Sequence, residues 1–165
     1  MSITFLRVDD RMIHGQTCTR WALEYPCDGI VAVNDAAANN AVLKAAYKSA
    51  SGKKTFVWTM EHWQEKCQQV IHSDTRYFLI TKNPLDMKKI LVDQKFDPGI
   101  RKVIVGPCND RPGAVELGNN QSITTEEASA FEEIMKAGYS IDFALIKEKY
   151  IGDWQKFRGK FGFSD

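Results

Sequence analysis

The chain has 165 residues and a formal net charge of +1, with 22 Lys and Arg against 21 Asp and Glu. This balance, without a block of basic residues, argues against nucleic-acid binding, and no run of about 18 apolar residues is present to span a membrane. The first residues lack the basic region and long apolar core of a secretory signal. We therefore expect one cytoplasmic domain, residues 1–165.

Apolar runs and helical patterns alternate along the chain. The runs predict buried strands at 3–8, 29–33, 55–59, 77–80, 102–105 and 140–146, with a short strand at 122–123. The segments between them predict helices at 16–25, 36–50 and 60–71, and others from Pro84 and from Thr124, where Thr-Thr-Glu-Glu has the residue types of a capping box. Aromatic residues spaced four, three and four apart from Tyr150 predict a helix at least to Phe157.

This alternation predicts an α/β fold, a single domain with a mostly parallel central β-sheet, helices on both faces and the functional loop after the first strand. The carboxyl ends of parallel strands share one edge of a sheet, where ligands bind. His14, Asn83 and the turn-rich Gly106 loop can therefore meet there. We expect Asn34, Asp35 and Gly106 to form a second wall of the site.

The polar stretch from Arg7 to Gln16 follows the first strand and holds most of the candidate chemistry. Arg7, Arg11 and the amides of Gly15 and Gln16 offer positive charge and donors to an anion. Gly15 also lets the backbone approach a ligand closely. His14 supplies a ring nitrogen that can act as a nucleophile or as a base.

Two carboxylates, Asp9 and Asp10, precede the histidine. Either can orient the unreactive ring nitrogen of His14, and the structural alternatives are turn formation and pairing with Arg7 or Arg11. Three interpretations stay open: a phosphoryl carrier, a hydrolase or lyase with His14 as base, and a module that holds an anion. The sequence lacks P-loop, dinucleotide-binding and serine-hydrolase motifs.

The cysteines and the remaining histidines indicate no metal site. The four cysteines are widely spaced, at Cys18, Cys27, Cys67 and Cys108. None forms a Cys-x-x-Cys pair or stands with a histidine at zinc spacing, so we expect free thiols in a reducing compartment. His62 and His72 are not part of an HExxH motif, which favours solvated positions for both.

The stretch Arg7-Val-Asp-Asp-Arg-Met-Ile-His14-Gly-Gln resembles the phosphorylation-site motif of IIB components of the mannose/fructose/sorbose family of the bacterial phosphotransferase system (PTS). Segments 33–40 and 81–86 resemble the family's second-strand and Asn-Pro segments. Val105-Gly106 stands where the family has a Val-Gly-Gly-Met run, but Pro107 and Cys108 replace the second Gly and the Met, and Pro107 removes a backbone donor. The resemblance covers essentially the whole chain and implies a single IIB domain.

This resemblance implies a phosphohistidine carrier. His14 would accept a phosphoryl group on Nδ1 from a IIA component and pass it to a sugar imported through the membrane components IIC and IID. Arg11 matches the arginine that assists the phosphoryl group, and Asp9 and Asp10 match acidic turn positions. The implied activity is that of a protein-Nπ-phosphohistidine–sugar phosphotransferase that needs no cofactor.

Further expectations concern assembly. The resemblance implies a cytoplasmic protein that associates peripherally with the permease complex, and a homodimer is compatible with the family. The alternative is a non-transporting regulatory or anion-binding domain of the same fold. Because a IIA partner must dock against the first turn, we expect exposed apolar side chains there, with Met12 or Ile13 as the candidates.

Overall fold

The computed structural model describes residues 2–164, except for the side chain of Gln16. Nine strands lie within that range: β1 (Ile3–Val8), β2 (Gly29–Val33), β3 (Lys54–Trp58), β4 (Tyr77–Thr81), β5 (Lys102–Val105), β6 (Val115–Gly118), β7 (Gln121–Ile123), β8 (Ser140–Ala144) and β9 (Tyr150–Asp153). Seven of them form one sheet in the order β3-β2-β4-β1-β5-β8-β9, in which only β9 pairs antiparallel. The mostly parallel central sheet is therefore confirmed.

The α-helices described within residues 2–164 are α1 (Asp35–Ala38), α2 (Ala41–Ser51), α3 (Met60–Ile71), α4 (Pro84–Lys88), α5 (Thr125–Lys136) and α6 (Trp154–Phe157). π-Helical turns cover Gln16–Arg20 and Lys89–Asp93, and 3-10 turns cover Trp21–Leu23, Lys147–Lys149 and Arg158–Phe161. The capping box at Thr124 is present, since its side chain and that of Glu127 each accept the other's backbone N–H. No helix in the described range is long and apolar enough to cross a membrane.

Helices cover both faces of the sheet. Alternate strand residues point to opposite faces, so Val31 and Val33 join a core with α3, α4, α5 and α6, whereas Ile30 and Ala32 join a core with α2 and the segment after the first turn. β1 lies near the middle of the sheet between β4 and β5. Its carboxyl end is therefore bordered by the loops after both neighbours.

Several elements differ from the sequence-based predictions, and among them the predicted helix 16–25 is a π-helical turn followed by a 3-10 turn. The predicted helix 36–50 is divided, because the Asn40 side chain caps a new helix, α2, by accepting the Leu43 N–H at 3.0 Å. Strands β6 and β7 form a separate hairpin, of which only the second strand was predicted. The tail begins as an edge strand, β9, rather than as a helix at Tyr150. Trp154 in the tail nevertheless packs against the sheet, and its ring centroid lies 6.3 Å from the ring centroid of Phe143.

Candidate functional site

The turn after β1 is tied to both neighbouring strands. The N–H of Asp9 donates to the Thr81 carbonyl at the end of β4, and the N–H of Asp10 donates to the Pro107 carbonyl after β5, each at 2.9 Å. The turn closes through Met12, which has a positive φ of 55° and donates its N–H to the Asp9 carbonyl at 2.9 Å. These backbone bonds place His14 over the carboxyl end of the central strand.

Asp9 orients the His14 ring. Its Oδ2 lies 2.8 Å from Nε2 of His14, and its Oδ1 accepts the backbone N–H of Arg11 at 2.8 Å. Because an ionised carboxylate only accepts hydrogen bonds, the neutral imidazole carries its proton on Nε2 and has its lone pair on Nδ1. His14 is 8% exposed, and among the described side chains Nδ1 has no hydrogen-bond partner.

Arg7 is fully buried behind Asp9. Its Nε donates to Oδ2 of Asp9 at 3.0 Å, and its two terminal nitrogens donate to the carbonyls of Ala144 and Leu145 at 3.2 and 3.0 Å. Burial lowers the pKa of the guanidinium, and the Asp9 charge opposes that change. The expectation that Arg7 offers its donors directly to an anion is therefore corrected, because those donors hold Asp9 and the end of β8.

Arg11 and Asp10 occupy different surroundings from Arg7 and Asp9. The side chain of Arg11 is exposed, so its guanidinium can reach a group outside the protein. The carboxylate of Asp10 accepts the backbone N–H of Asn109. The structure thus separates the two carboxylates, since Asp9 orients His14 and Asp10 holds the loop after β5.

The second wall expected from the sequence is brought together only in part. Gly106 adjoins the first turn, because its N–H donates to the Val8 carbonyl at 2.8 Å. Asn34 and Asp35 lie after β2, which β4 separates from β1. The Asn34 side chain accepts the Ala37 N–H at 2.9 Å and caps α1, and Asp35 accepts the Met60 N–H at 2.8 Å. Both side chains therefore have structural partners at helix N-termini, Asn34 at α1 and Asp35 at α3.

The first turn does not expose the apolar side chains that we expected. Met12 and Ile13 are both buried, in a core with Phe5 and Trp21, so that prediction was wrong. Gly15 is exposed, and a Cβ at this position would meet no atom within 4 Å. The space beside His14 is therefore open at Gly15. The side chain of Gln16, the other residue expected to face an anion, lies outside the described part of the structure.

Sequence reasoning missed some residues that shape the site. The Trp21 ring lies 5.3 Å from the Arg7 guanidinium carbon, within cation–π range. Burial, together with the nearby Asp9 charge, raises the pKa of Tyr47. Gln121, which is 1% exposed, donates to the Val105 carbonyl at 2.9 Å. A helical spacing from Cys18 pointed to Trp21 as a packing residue, but no local signal marked Gln121.

The cysteines and the other histidines lie apart from this chemistry. The four thiols are free, and burial raises the pKa of Cys108 to about 12, reinforced by the charges of Asp10 and Asp9. His62 and His72 are exposed. Within residues 2–164 the structure describes no group of three or more His, Cys, Asp or Glu side chains that could hold a metal ion.

Comparisons with known proteins agree with this architecture. Residues 3–164 match the family model for the PTS system sorbose subfamily IIB component. The chain is 28% identical over 148 residues to the sorbose-specific EIIB component of Klebsiella pneumoniae, with 88% of each chain covered. It is 26% identical over 150 residues to the mannose-specific EIIAB component of Escherichia coli K12, covering 88% of this chain and 45% of that protein.

Solved structures give the same result. The IIB domain of the Klebsiella pneumoniae sorbose permease superposes with a TM-score of 0.81 at 28% identity, covering 96% of this chain and 98% of that one. The manxB structure from Thermoanaerobacter tengcongensis has a TM-score of 0.78 at 26% identity, with 91% of each chain covered. The family match spans nearly all of the described residues, so the chain belongs to the sorbose subfamily of PTS IIB components, proteins that act in sugar phosphotransfer.

Proposed function

We propose that His14 is a phosphoryl carrier whose Nδ1 accepts the group from a phosphohistidine on a IIA component and passes it to a sugar during import through IIC and IID. The observation that carries this proposal is the 2.8 Å contact between Asp9 Oδ2 and His14 Nε2. A hydrogen bond at Nε2 leaves the Nδ1 lone pair as the nucleophile.

Transfer to His14 exchanges one P–N bond for another. The Nδ1 lone pair attacks phosphorus, the P–N bond of the donor phosphohistidine breaks, and its electron pair returns to the donor ring. His14 becomes cationic as the new bond forms, and the buried Asp9 carboxylate stabilises that charge. The phosphoryl group passes through a transition state whose charge is spread over its equatorial oxygens, where the exposed Arg11 guanidinium can bind two of them.

In the second transfer a sugar hydroxyl oxygen attacks phosphorus. The P–Nδ1 bond breaks and its electrons return to the imidazole, while the hydroxyl proton leaves to a base or to water on the sugar side. Asp9 again holds Nε2–H, so His14 returns to the tautomer from which it started. The activity is that of a protein-Nπ-phosphohistidine–sugar phosphotransferase.

The electrostatics favour this role over the alternatives. A module that only holds an anion needs donors directed at that anion, whereas the Arg7 donors are directed inward at Asp9 and at the Ala144 and Leu145 carbonyls. A hydrolase needs a nucleophile beside the base, and Cys108, with its pKa raised to about 12, stays a protonated thiol. The Asp9 contact is useful when the ring gains positive charge, as it does on phosphorylation.

The relatives support the choice of partner. A relative from Escherichia coli is named as an EIIAB component, of which this chain matches 45%. We place the chain in the cytoplasm, peripherally at the IIC and IID membrane components. A homodimer is compatible with the family.

The test is phosphorylation by the IIA component of the same organism, labelled with ³²P. We expect an acid-labile, base-stable label on the wild type that disappears in His14→Gln. His62→Gln is the matched control because His62 is exposed and distant in sequence, and it should retain the label. A label that persists in His14→Gln, or that ³¹P NMR places on Nε2, would overturn the assignment.

A further inference from the structure

We infer that Gly106 and Gln121 are positioning residues that decide which ring nitrogen of His14 receives the phosphoryl group. The inference rests on the proposed function of His14. Gly106 contacts the buried Arg7 guanidinium, and Gln121 fixes the backbone of Gly106. Arg7 in turn holds Asp9, which holds Nε2 of His14. The loop after β5 and the hairpin thereby select Nδ1 as the nucleophile through Arg7 and Asp9.

Position 106 has no room for a side chain. A Cβ there would lie 2.2 Å from Nη2, 2.6 Å from Cζ and 3.0 Å from Nε of Arg7. Non-bonded heavy atoms essentially never approach a real Cβ atom to less than 3.0 Å. Three guanidinium atoms are crowded at once, so the clash cannot be relieved by rotating one terminal nitrogen away. A glycine at this position is required by the arginine behind Asp9.

The guanidinium cannot retreat without losing its partners. It donates to Asp9 and to the carbonyls of Ala144 and Leu145, and the Trp21 ring lies 5.3 Å from its central carbon. The indole nitrogen of Trp21 also donates to the Leu145 carbonyl at 3.0 Å. Any shift of Arg7 away from position 106 therefore changes the Nε contact with Asp9.

Gln121 sets the position of the Gly106 backbone. This side chain, from β7, donates through Nε2 to the Val105 carbonyl at 2.9 Å and to the Gly106 carbonyl at 3.3 Å. It is 1% exposed, so no water competes for those bonds. The hairpin is also tied to this loop by backbone bonds between Cys108 and both Asn120 and Ser122, at 2.7 and 3.0 Å.

The chemical consequence is control of the His14 tautomer. A single carboxylate oxygen, Oδ2 of Asp9, serves both Arg7 and His14. If Arg7 shifts, this oxygen moves or turns, and Nε2 loses the acceptor that keeps its proton there. The neutral ring then divides between its two tautomers, and Nε2 gains nucleophilic character at the expense of Nδ1.

The test uses two variants and two readouts. Gly106→Ala crowds Arg7, whereas Gln121→Met keeps the side-chain length and removes the donor. ¹⁵N NMR of the unphosphorylated protein at a pH where His14 is neutral measures the tautomer ratio without any partner. Phosphorylation by the ³²P-labelled IIA component, followed by ³¹P NMR, measures the transfer rate and the nitrogen that carries phosphorus.

We expect the wild type to have its proton on Nε2 and its phosphoryl group on Nδ1. Gly106→Ala should give a mixture of tautomers, a measurable fraction of Nε2-phosphohistidine and an Nδ1 transfer rate lower by about 100-fold, the scale of a 1 Å misplacement. Gln121→Met should change the same quantities in the same direction by less. Gly159→Ala is the control, because a Cβ at position 159 meets nothing within 4 Å, and it should match the wild type.

Folded Gly106→Ala and Gln121→Met proteins with wild-type tautomers and wild-type regiochemistry would overturn the inference. If Gly106→Ala does not fold, the Gln121→Met protein alone tests the inference. If neither variant folds, the two residues have a purely structural role and the inference is overturned. Failure of the proposed function gives a different result, because the wild-type protein itself would then carry no ³²P label on His14. A tautomer shift in Gly106→Ala would still support the positioning in that case.

Discussion

Oδ2 of Asp9 lies 2.8 Å from Nε2 of His14, and it is the same oxygen that accepts the Nε–H of Arg7. Asp9 and Arg7 are both fully buried. The carboxylate therefore has two functions, since it neutralises a buried cation and orients a reactive ring. Changes at Asp9 should affect stability and phosphoryl transfer together.

Asp9→Asn tests this coupling. The substitution leaves Arg7 without a buried counter-charge, so we expect the free energy of unfolding to fall by about 3–5 kcal/mol. We expect the transfer rate to fall by about 10⁴-fold, the scale of the loss when a carboxylate that orients a catalytic histidine becomes an amide. Urea unfolding and single-turnover ³²P transfer measure the two effects. Asp97→Asn is the control, because Asp97 forms an exposed ion pair with Arg101. It should lower the free energy of unfolding by less than about 1 kcal/mol.

Arg11→Ala should separate chemistry from stability. Its side chain is exposed, and its backbone N–H, which bonds Asp9, remains after the substitution. We expect the free energy of unfolding to change by no more than about 0.5 kcal/mol. We expect the rate of phosphoryl transfer to fall by about 10²- to 10³-fold, as when one hydrogen-bond donor to a developing negative charge is removed. Arg101→Ala provides a control at another exposed arginine. An Arg11→Ala protein that unfolds would show that Arg11 is structural.

Glu132 should make stability depend on acid pH. It is buried on α5, and its Oε1 accepts hydrogen bonds from Arg158 Nε and Trp154 Nε1, each at 2.9 Å. The Arg158 bond is the main reason that the pKa of Glu132 lies below its ordinary value of 4.5. A depressed carboxyl pKa stabilises the folded state above the unfolded pKa, and this contribution is lost as pH falls through the folded value.

We therefore expect Glu132→Gln to lower the free energy of unfolding by about 3–5 kcal/mol at pH 7. The difference from wild type should shrink as the pH falls below 4.5, the ordinary pKa of this carboxyl. Urea unfolding of both proteins at pH 7, 4 and 3 measures this difference in the free energy of unfolding. Glu133→Gln is the neighbouring control, since Glu133 is 52% exposed. A difference between wild type and Glu132→Gln that stays constant with pH would contradict the assignment.

Cys108 should resist thiol reagents in the folded protein. Burial, followed by the Asp10 and Asp9 charges, raises its pKa to about 12, so at pH 8 only about one thiol in 10⁴ is ionised. We expect the half-buried Cys67 to react with iodoacetamide first and Cys108 to react only when denaturant is added, as measured by peptide mass spectrometry. Equal modification rates in the native protein would contradict this. Cys108 then acts as an apolar side chain that fills the core beneath the loop after β5.

The alternating strands and helices were predictable because their signals are local. Helix α3 and strand β5 have the predicted bounds, and the capping box at Thr124 starts α5 as expected. Asn40 was harder to interpret, since the alanine-rich helical pattern continues through it while its side chain caps a new helix. The hairpin strand Val115–Gly118 has no buried residue, and its two apolar residues alternate over only four positions, which is too short a signal to predict a strand.

The arrangement of the site was less predictable than the fold. The sequence identified the cluster around His14 but could not separate Asp9 from Asp10. The burial of Arg7 depends on the carbonyls of Ala144 and Leu145, which are more than 130 residues away in the sequence. In the tail, the aromatic spacing from Tyr150 is real, but pairing with β8 determines the strand. Contacts between distant segments decided each of these points.

The burial of Met12 and Ile13 restricts how the carrier can work. Both side chains anchor the middle of the first turn in the core, and Met12 closes the turn in a left-handed conformation. Under the proposed function, His14 cannot swing between two docking partners, because the turn that carries it is fixed at that point. With only 8% of His14 exposed, donor and acceptor must occupy the same opening in succession. Their binding is then mutually exclusive, and the overall reaction follows ping-pong kinetics, with the phosphorylated protein as the free intermediate.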